Sequence, residues 1–143
     1  MDEQIRKCIL SMEERLEKKN IDVVLELKPV NYFGCKDLIA EVWNNLLENA
    51  IKFSHNGGTV VIKLDNNENE IVVTVHDNGV GMSQITKERM FERFYRGKEA
   101  QGVDGCGLGM SMVKSIVQKH GGRIEVKSEL GKGSDLIIAF PTK

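Results

Sequence analysis

Glu41, Asn45, Asn49 and Lys52 are spaced by three and four residues within a stretch, residues 37–53, whose other positions are largely apolar. That spacing puts the four side chains on one face of a helix. Carboxamide oxygens can ligate a hard cation such as Mg²⁺, and a lysine one turn further on can meet phosphate, so the stripe has the chemistry of a magnesium–phosphate site. Taken alone, it is equally the solvated side of an amphipathic helix. Asp77-Asn78-Gly79-Val80-Gly81 stands where an apolar run ends. Asp77 there is a carboxylate beside two conformationally free backbone positions, able to accept a hydrogen bond from an amino group, unless the segment is an ordinary Asp-Asn-Gly turn. A third cluster, Gly105-Cys106-Gly107-Leu108-Gly109, leads straight into a helical pattern. It offers backbone amides and a positive helix end to an anion, or it serves only as a hinge. Position 110 is Met and Lys132 is followed by Gly133, so neither Gly-x-Gly-x-x-Gly nor Gly-Lys-Ser/Thr is completed. Dinucleotide and P-loop readings are set aside.

The elements that must position these groups follow from periodicity. Apolar residues at Ile5, Ile9, Met12 and Leu16 mark one amphipathic helix over residues 2–19. Residues 22–27 read as a strand closed by Pro29, and the helix of the polar stripe runs over 37–53 with Asp37 as its cap. Two strands, 59–64 and 70–76, flank a polar hairpin loop at 65–69. The 30 residues from Asp77 to Cys106 hold five glycines and a short helical patch near 86–94, too long a connection to be passive. A helix to about His120 is stopped by Gly121-Gly122, and strands 123–128 and 134–140 surround a turn at 129–133. The fold class expected is α+β: a two-layer sandwich with a mixed sheet of about five strands covered on one face by about three helices.

Size and composition narrow the partners. At 143 residues and 41% hydrophobic content the chain is one domain, residues 1–143, with enough apolar residues for a core. Twenty basic residues against 21 acidic ones leave a formal charge of −1, so no global field recruits nucleic acid or an anionic membrane. No stretch approaches the ~18 apolar residues of a membrane span, and the first residues lack the apolar centre of a signal peptide. Cys8, Cys35 and Cys106 are odd in number and far apart, which points away from disulfides and zinc and toward a reducing, cytoplasmic setting.

The stripe, Asp-x-Gly-x-Gly, Phe91-Glu92-Arg93-Phe94-Tyr95-Arg96, Gly-x-Gly-Leu-Gly and Gly131-Lys132-Gly133-Ser134 occur in a fixed order. In this order the chain resembles the catalytic ATP-binding domain of bacterial sensor histidine kinases, from about Ile5 onward. The resemblance implies the Bergerat sandwich shared with gyrase and related ATPases, with a mobile ATP lid over about residues 82–105. It implies that Asn49 ligates magnesium, that Asn45 completes the metal and phosphate shell, and that Lys52 meets phosphate oxygens. Asp77 matches the acceptor of the adenine amino group, and Gly79 and Gly81 let the backbone approach the base. Phe53 stands where the family often has tyrosine, which keeps a packing surface near the nucleotide and drops a hydroxyl. Phe91 and Phe94 match the aromatic box that anchors the lid. Arg93 and Arg96 are the candidate cations for the terminal phosphate, with Arg96 at the more regular position. Gly105, Gly107, Leu108 and Gly109 would hinge the lid and bring amides to phosphate, and Gly133 and Ser134 belong to the last motif of the site. Cys106 replaces a residue that is often threonine.

At Asn45 the hydrolysing relatives carry a glutamate that activates water. A carboxamide has no basic site for that work, so rapid hydrolysis is not expected, and Glu41 is a weaker substitute base. No histidine matches the family's phosphoacceptor motif. His55 lies in a turn, His76 ends a strand, and His120 sits at a helix end where a cation suits the dipole. The resemblance therefore implies an excised catalytic domain, with residues 1–19 as the connection from a missing dimerisation and phosphoacceptor hairpin. Its implied partners are that hairpin and, indirectly, a response regulator. The isolated domain would be monomeric, without direct membrane contact, while its parent would be membrane-anchored. The implied cosubstrate and cofactor are ATP and Mg²⁺, and the implied activity is transfer of the γ-phosphoryl group to a histidine on the hairpin. A nucleotide-gated protein-binding module and a serine kinase of the anti-sigma-factor type remain as alternatives.

Overall fold

The computed structural model describes residues 1–93 and 109–142. Its elements are α1 (Asp2–Ser11), α2 (Glu13–Lys18), β1 (Asp22–Leu27), α3 (Lys36–Phe53), β2 (Thr59–Asn66), β3 (Glu70–Asp77), α4 (Gln84–Arg89), α5 (Gly109–Lys119), β4 (Arg123–Glu129) and β5 (Gly133–Pro141). The five strands form one open sheet in the order β1-β2-β3-β5-β4. Only β1 and β2 run parallel, joined through α3, and the other pairs are antiparallel. This is the expected mixed sheet of an α+β sandwich.

Strict alternation in β2 and β3 sends Val60, Ile62, Leu64, Ile71, Val73 and Val75 to one buried face. Against it α3 lays Ile39, Val42, Trp43, Leu46, Leu47, Ala50 and Ile51, and α5 lays Val113, Ile116 and Val117. Ile5, Cys8, Met12 and Leu16 of the first two helices join the same core. Phe140, fully buried on β5, packs its ring edge-on to Trp43 at 6.4 Å and lies 5.1 Å from Tyr32.

Three local expectations are corrected. The single helix over residues 2–19 is two helices broken at Met12. Ser11 Oγ donates to Cys8 O at 2.6 Å, the carbonyl that Met12 N–H would take in an unbroken helix, and Met12 N–H donates to Ile9 O instead. Asp37 does not cap α3: the helix starts at Lys36 after Cys35, with no side-chain cap bond, and Asp37 lies in the first turn, where its charge still suits the dipole. The helical patch near 86–94 is α4, which begins earlier because Ser83 Oγ accepts Thr86 N–H.

His120 is used structurally: Nδ1 lies 2.8 Å from Ile116 O and Nε2 accepts Cys35 N–H at 3.2 Å, tying the end of α5 to the start of α3. His76 contacts Asp135 across the β3–β5 ladder, and His55 is exposed after α3. No described helix is long and apolar enough to cross a membrane.

Candidate functional site

The polar stripe lies on α3 as its spacing requires. Asn45, Asn49 and Lys52 are half-buried, and Glu41 is exposed. Asn45 Nδ2 donates to Glu41 O at 2.8 Å, which leaves its Oδ1 as an acceptor. That oxygen stands at the first turn of α5: a Cβ placed on Gly109 would come within 2.8 Å of it. Glycine is what lets the two helices approach this closely. The first amides of a helix find no acceptor within it, so one end of the stripe brings carboxamide oxygens and helix-end donors together.

The other end of α3 meets the Asp77 loop. Phe53 O accepts Val80 N–H at 3.0 Å, and a Cβ on Gly79 would sit 1.9 Å from that same carbonyl. Phe53 itself is half-buried. Gly81, with φ 72°, backs onto Glu129 O, and Gly131 N–H donates to Val80 O, fastening the loop to the β4–β5 turn. Gly133, at φ 89°, passes against Asp77 O, where a Cβ would lie 2.1 Å away. Asp77 is thus clamped between α3 and β5.

Asp77 is 3% exposed. Its Oδ1 accepts Gly79 N–H at 3.0 Å, and Ser134 faces it across the ladder. Burial pushes its carboxyl above the usual carboxylate value, opposed by the Gly79 amide. Among the described residues no ion pair reaches it. A carboxylate sunk in the fold whose direct hydrogen bond comes from a backbone amide is unusual as pure architecture, and suits a ligand that brings an N–H donor.

Ser134 is buried and its hydroxyl is 2.8 Å from Ser128 Oγ, which also donates to Gly133 O and accepts Met82 N–H. Ser128 joins β4, β5 and the loop after Gly81, and sequence reasoning missed it because nothing local marks a serine in a strand. Phe91 packs on the core with Lys114 Nζ 5.6 Å from its ring centroid, a cation–π contact also missed. Met90 is buried while Ile85 on α4 is 62% exposed, so the first part of the expected lid touches the core at Met90 and Phe91. Arg93 is exposed. Phe94, Arg96, Gly105, Cys106, Gly107 and Leu108 lie outside the described residues. Among the described residues no three His, Cys, Asp or Glu side chains gather as a metal site. The donors on hand for a hard cation are the carboxamides of Asn45 and Asn49, which fit a metal shared with a ligand's own oxygens.

An open mixed sheet with a buried acid at one strand end and a helix N-terminus facing the stripe defines a Bergerat-type nucleotide-binding sandwich. The chain belongs to the histidine kinase-, DNA gyrase B-, and HSP90-like ATPase family, whose model matches residues 34–143. Within it, the chain is similar to the sensor protein SrrB of Staphylococcus aureus, 39% identical over 107 residues that make up 73% of this chain and 18% of that protein. The chain therefore spans less than a fifth of that relative. Its fold matches the mycobacterial sensor histidine kinase MprB with a TM-score of 0.88 at 28% identity, covering 100% of this chain and 96% of the other. It also matches the catalytic domain of histidine kinase ThkA, TM-score 0.86 at 28% identity over 99% and 93% of the two chains. ThkA in complex with the response regulator protein TrrA matches at 0.82 and 25% identity, covering 100% of this chain and 40% of that one. The chain is a histidine kinase ATPase domain of the two-component sensor type.

Proposed function

We propose that this domain binds Mg-ATP between α3, α5 and the Asp77 loop and supplies its γ-phosphoryl group to a histidine on a separate dimerisation hairpin. The observation that carries the reading is Asp77: a buried carboxylate held in no ion pair among the described residues, walled by glycines that leave no room for a Cβ, beside the end of a helix lined with carboxamides and a lysine. Asp77 accepts the adenine amino group, and Gly79 and Gly81 form the backbone wall beside the base. Lys52 and the first-turn amides of α5, with Gly109 leading, face the phosphates, and Arg93 is the candidate phosphate cation among the described lid residues. Asn45 and Asn49 would hold magnesium through their oxygens. When bound, the ion neutralises phosphate charge and orients the leaving oxygens. Phe53 and Phe91 supply apolar surface, while Gly133 and Ser134 hold Asp77 in place. Arg96, Phe94, Gly105, Gly107 and Leu108 complete the reading by family resemblance.

Asn45 also sets the outcome of the reaction. Its amide nitrogen is committed to Glu41 O, and its oxygen is not a base, so this chain has no group at that position to take a proton from water. The phosphoryl group is thereby kept for an incoming histidine, which needs positioning more than activation. The parent protein would be a membrane-anchored sensor with this domain in the cytoplasm, residues 82–105 as its ATP lid, and a response regulator receiving the phosphoryl group from the hairpin. Calorimetric titration with Mg-ATP, alongside Asn49→Ala and with phosphate release followed, tests the binding half. Adding the hairpin and finding acid-labile phosphohistidine tests the transfer; acid-stable phosphate on a partner would point to a serine kinase instead.

A further inference from the structure

Lys19 closes α2, but its side chain serves α3. Nζ donates to Ile51 O at 2.8 Å, Lys52 O at 3.0 Å and Ser54 O at 3.0 Å. An ammonium has three protons, and here each finds a carbonyl that the end of α3 cannot satisfy internally. The remaining carbonyls of that end are also assigned. Ala50 O takes the amide and hydroxyl of Ser54, and Phe53 O takes Val80 N–H from the loop that carries Asp77. The backbone of the same corner is stitched down as well: Lys19 O accepts Gly57 N–H at 2.7 Å, and Asp22 N–H donates to Gly58 O.

A lysine that merely completes its own helix would bond within α2. This one reaches 32 to 35 residues along the chain, from a segment ahead of the family-matched region. The rest of that segment also holds α3. Trp43 Nε1 donates to Gln4 Oε1, Cys8 Sγ donates to Asn44 Oδ1, and Arg15 pairs with Glu48. Of these contacts, Lys19 is the one that ends on the turn bearing Lys52 and Phe53 O.

The geometry points to Lys19 as a positioning residue of the nucleotide site, the point at which residues 1–19 set the last turn of α3 and, through Phe53 O, the Asp77 loop. A shift of α2 is carried by three carbonyls at once, so whatever moves the segment upstream retunes the adenine and phosphate contacts together. The assignment of those contacts rests on the Mg-ATP reading above; the coupling of Lys19 to the loop does not.

The test compares Lys19→Met with wild type, with Lys18→Met, a neighbouring exposed lysine, as the charge control and Lys19→Arg as the conservative variant. A planar guanidinium keeps the charge but does not converge on three carbonyls, so Lys19→Arg restores only part of the effect. Amide hydrogen exchange at Val80 is read against Val73 in the sheet centre, and Mg-ATP affinity is titrated well below the melting temperature. Lys19→Met is expected to speed Val80 exchange about tenfold with Val73 unchanged, and to weaken Mg-ATP roughly three- to tenfold, the scale of an ion–dipole contact at a helix end. Lys18→Met matches wild type. Unchanged Val80 exchange, or equal acceleration at Val80 and Val73, overturns the proposal. If wild type itself fails to bind Mg-ATP, the nucleotide reading falls and Val80 exchange alone decides the coupling.

Discussion

Asp77 sets two properties of the domain against each other. Burial raises its carboxyl above the usual carboxylate value, so the folded state holds this proton at a pH where the unfolded chain has released it. A raised acid contributes stability below the unfolded value and loses it as pH climbs through the folded one. The carboxamide in Asp77→Asn does not titrate, so the stability of that variant relative to wild type is expected to improve as pH rises from about 4 toward neutrality, while Mg-ATP binding weakens at least about tenfold. Chemical denaturation of both proteins across that range checks the first, and calorimetry at neutral pH the second. A flat difference with pH would mean that Asp77 ionises as freely in the fold as out of it. Gly79 beside it has no such compromise: a Cβ there falls 1.9 Å from Phe53 O, backbone against backbone. Gly79→Ala should cost roughly 2 kcal/mol or more in thermal or denaturant melts and abolish detectable nucleotide binding, because the loop must leave α3 to make room.

At the scale of elements, the site is a meeting of helix ends. The N-terminus of α5 abuts Asn45, and the C-terminus of α3 abuts the Asp77 loop. Gly109→Ala places a methyl 2.8 Å from Asn45 Oδ1, yet alanine is the better helix former. Stability should therefore stay within about 1 kcal/mol of wild type, while the affinity for Mg-ATP drops about tenfold, a separation that parallel melts and titrations would show. The polar stripe of α3 and all five strands were legible from periodicity, because alternation and 3.6-residue spacing are local properties of the chain. The break at Met12 was not, since it depends on a serine hydroxyl outbidding an amide for Cys8 O. Nor was the parallel pairing of β1 with β2, because a strand's own pattern does not name its neighbour. Asp77 and its glycines could be picked out as a motif, but their clamp on Phe53 O and Glu129 O joins segments far apart in the chain. Lys19 is further still from legibility: a lysine after a charged helix looks like solvent-facing surface until α3 is folded beside it.

For the whole molecule, the core does not respect the boundary of the family match. That match starts at residue 34, yet Ile5, Cys8, Met12, Leu16, Ile21 and Val30 are all buried in the same cluster as α3 and the sheet. Burying a large aliphatic side chain contributes about 1.5–3 kcal/mol, so Ile5, Met12, Leu16 and Ile21 together supply on the order of 8 kcal/mol. A domain of this size has only about 5–15 kcal/mol in hand. Removing residues 1–33 would also strip β1 from the edge of β2 and uncover Trp43, Leu46 and Leu47. The matched region alone is therefore expected to lose cooperative melting, keeping part of its far-UV circular dichroism while exposing apolar surface to a hydrophobic dye. Leu46→Ala in the full chain provides the calibrated counterpart: a cost of about 2–5 kcal/mol with a single sharp transition retained. If residues 34–143 melt as sharply as the full chain, the first two helices are an appendage, and their hydrogen bonds to α3 are too weak to carry any signal into the site. If the transition is lost, those helices are part of the nucleotide-binding body, and their position is written into the geometry of α3 before any ligand arrives.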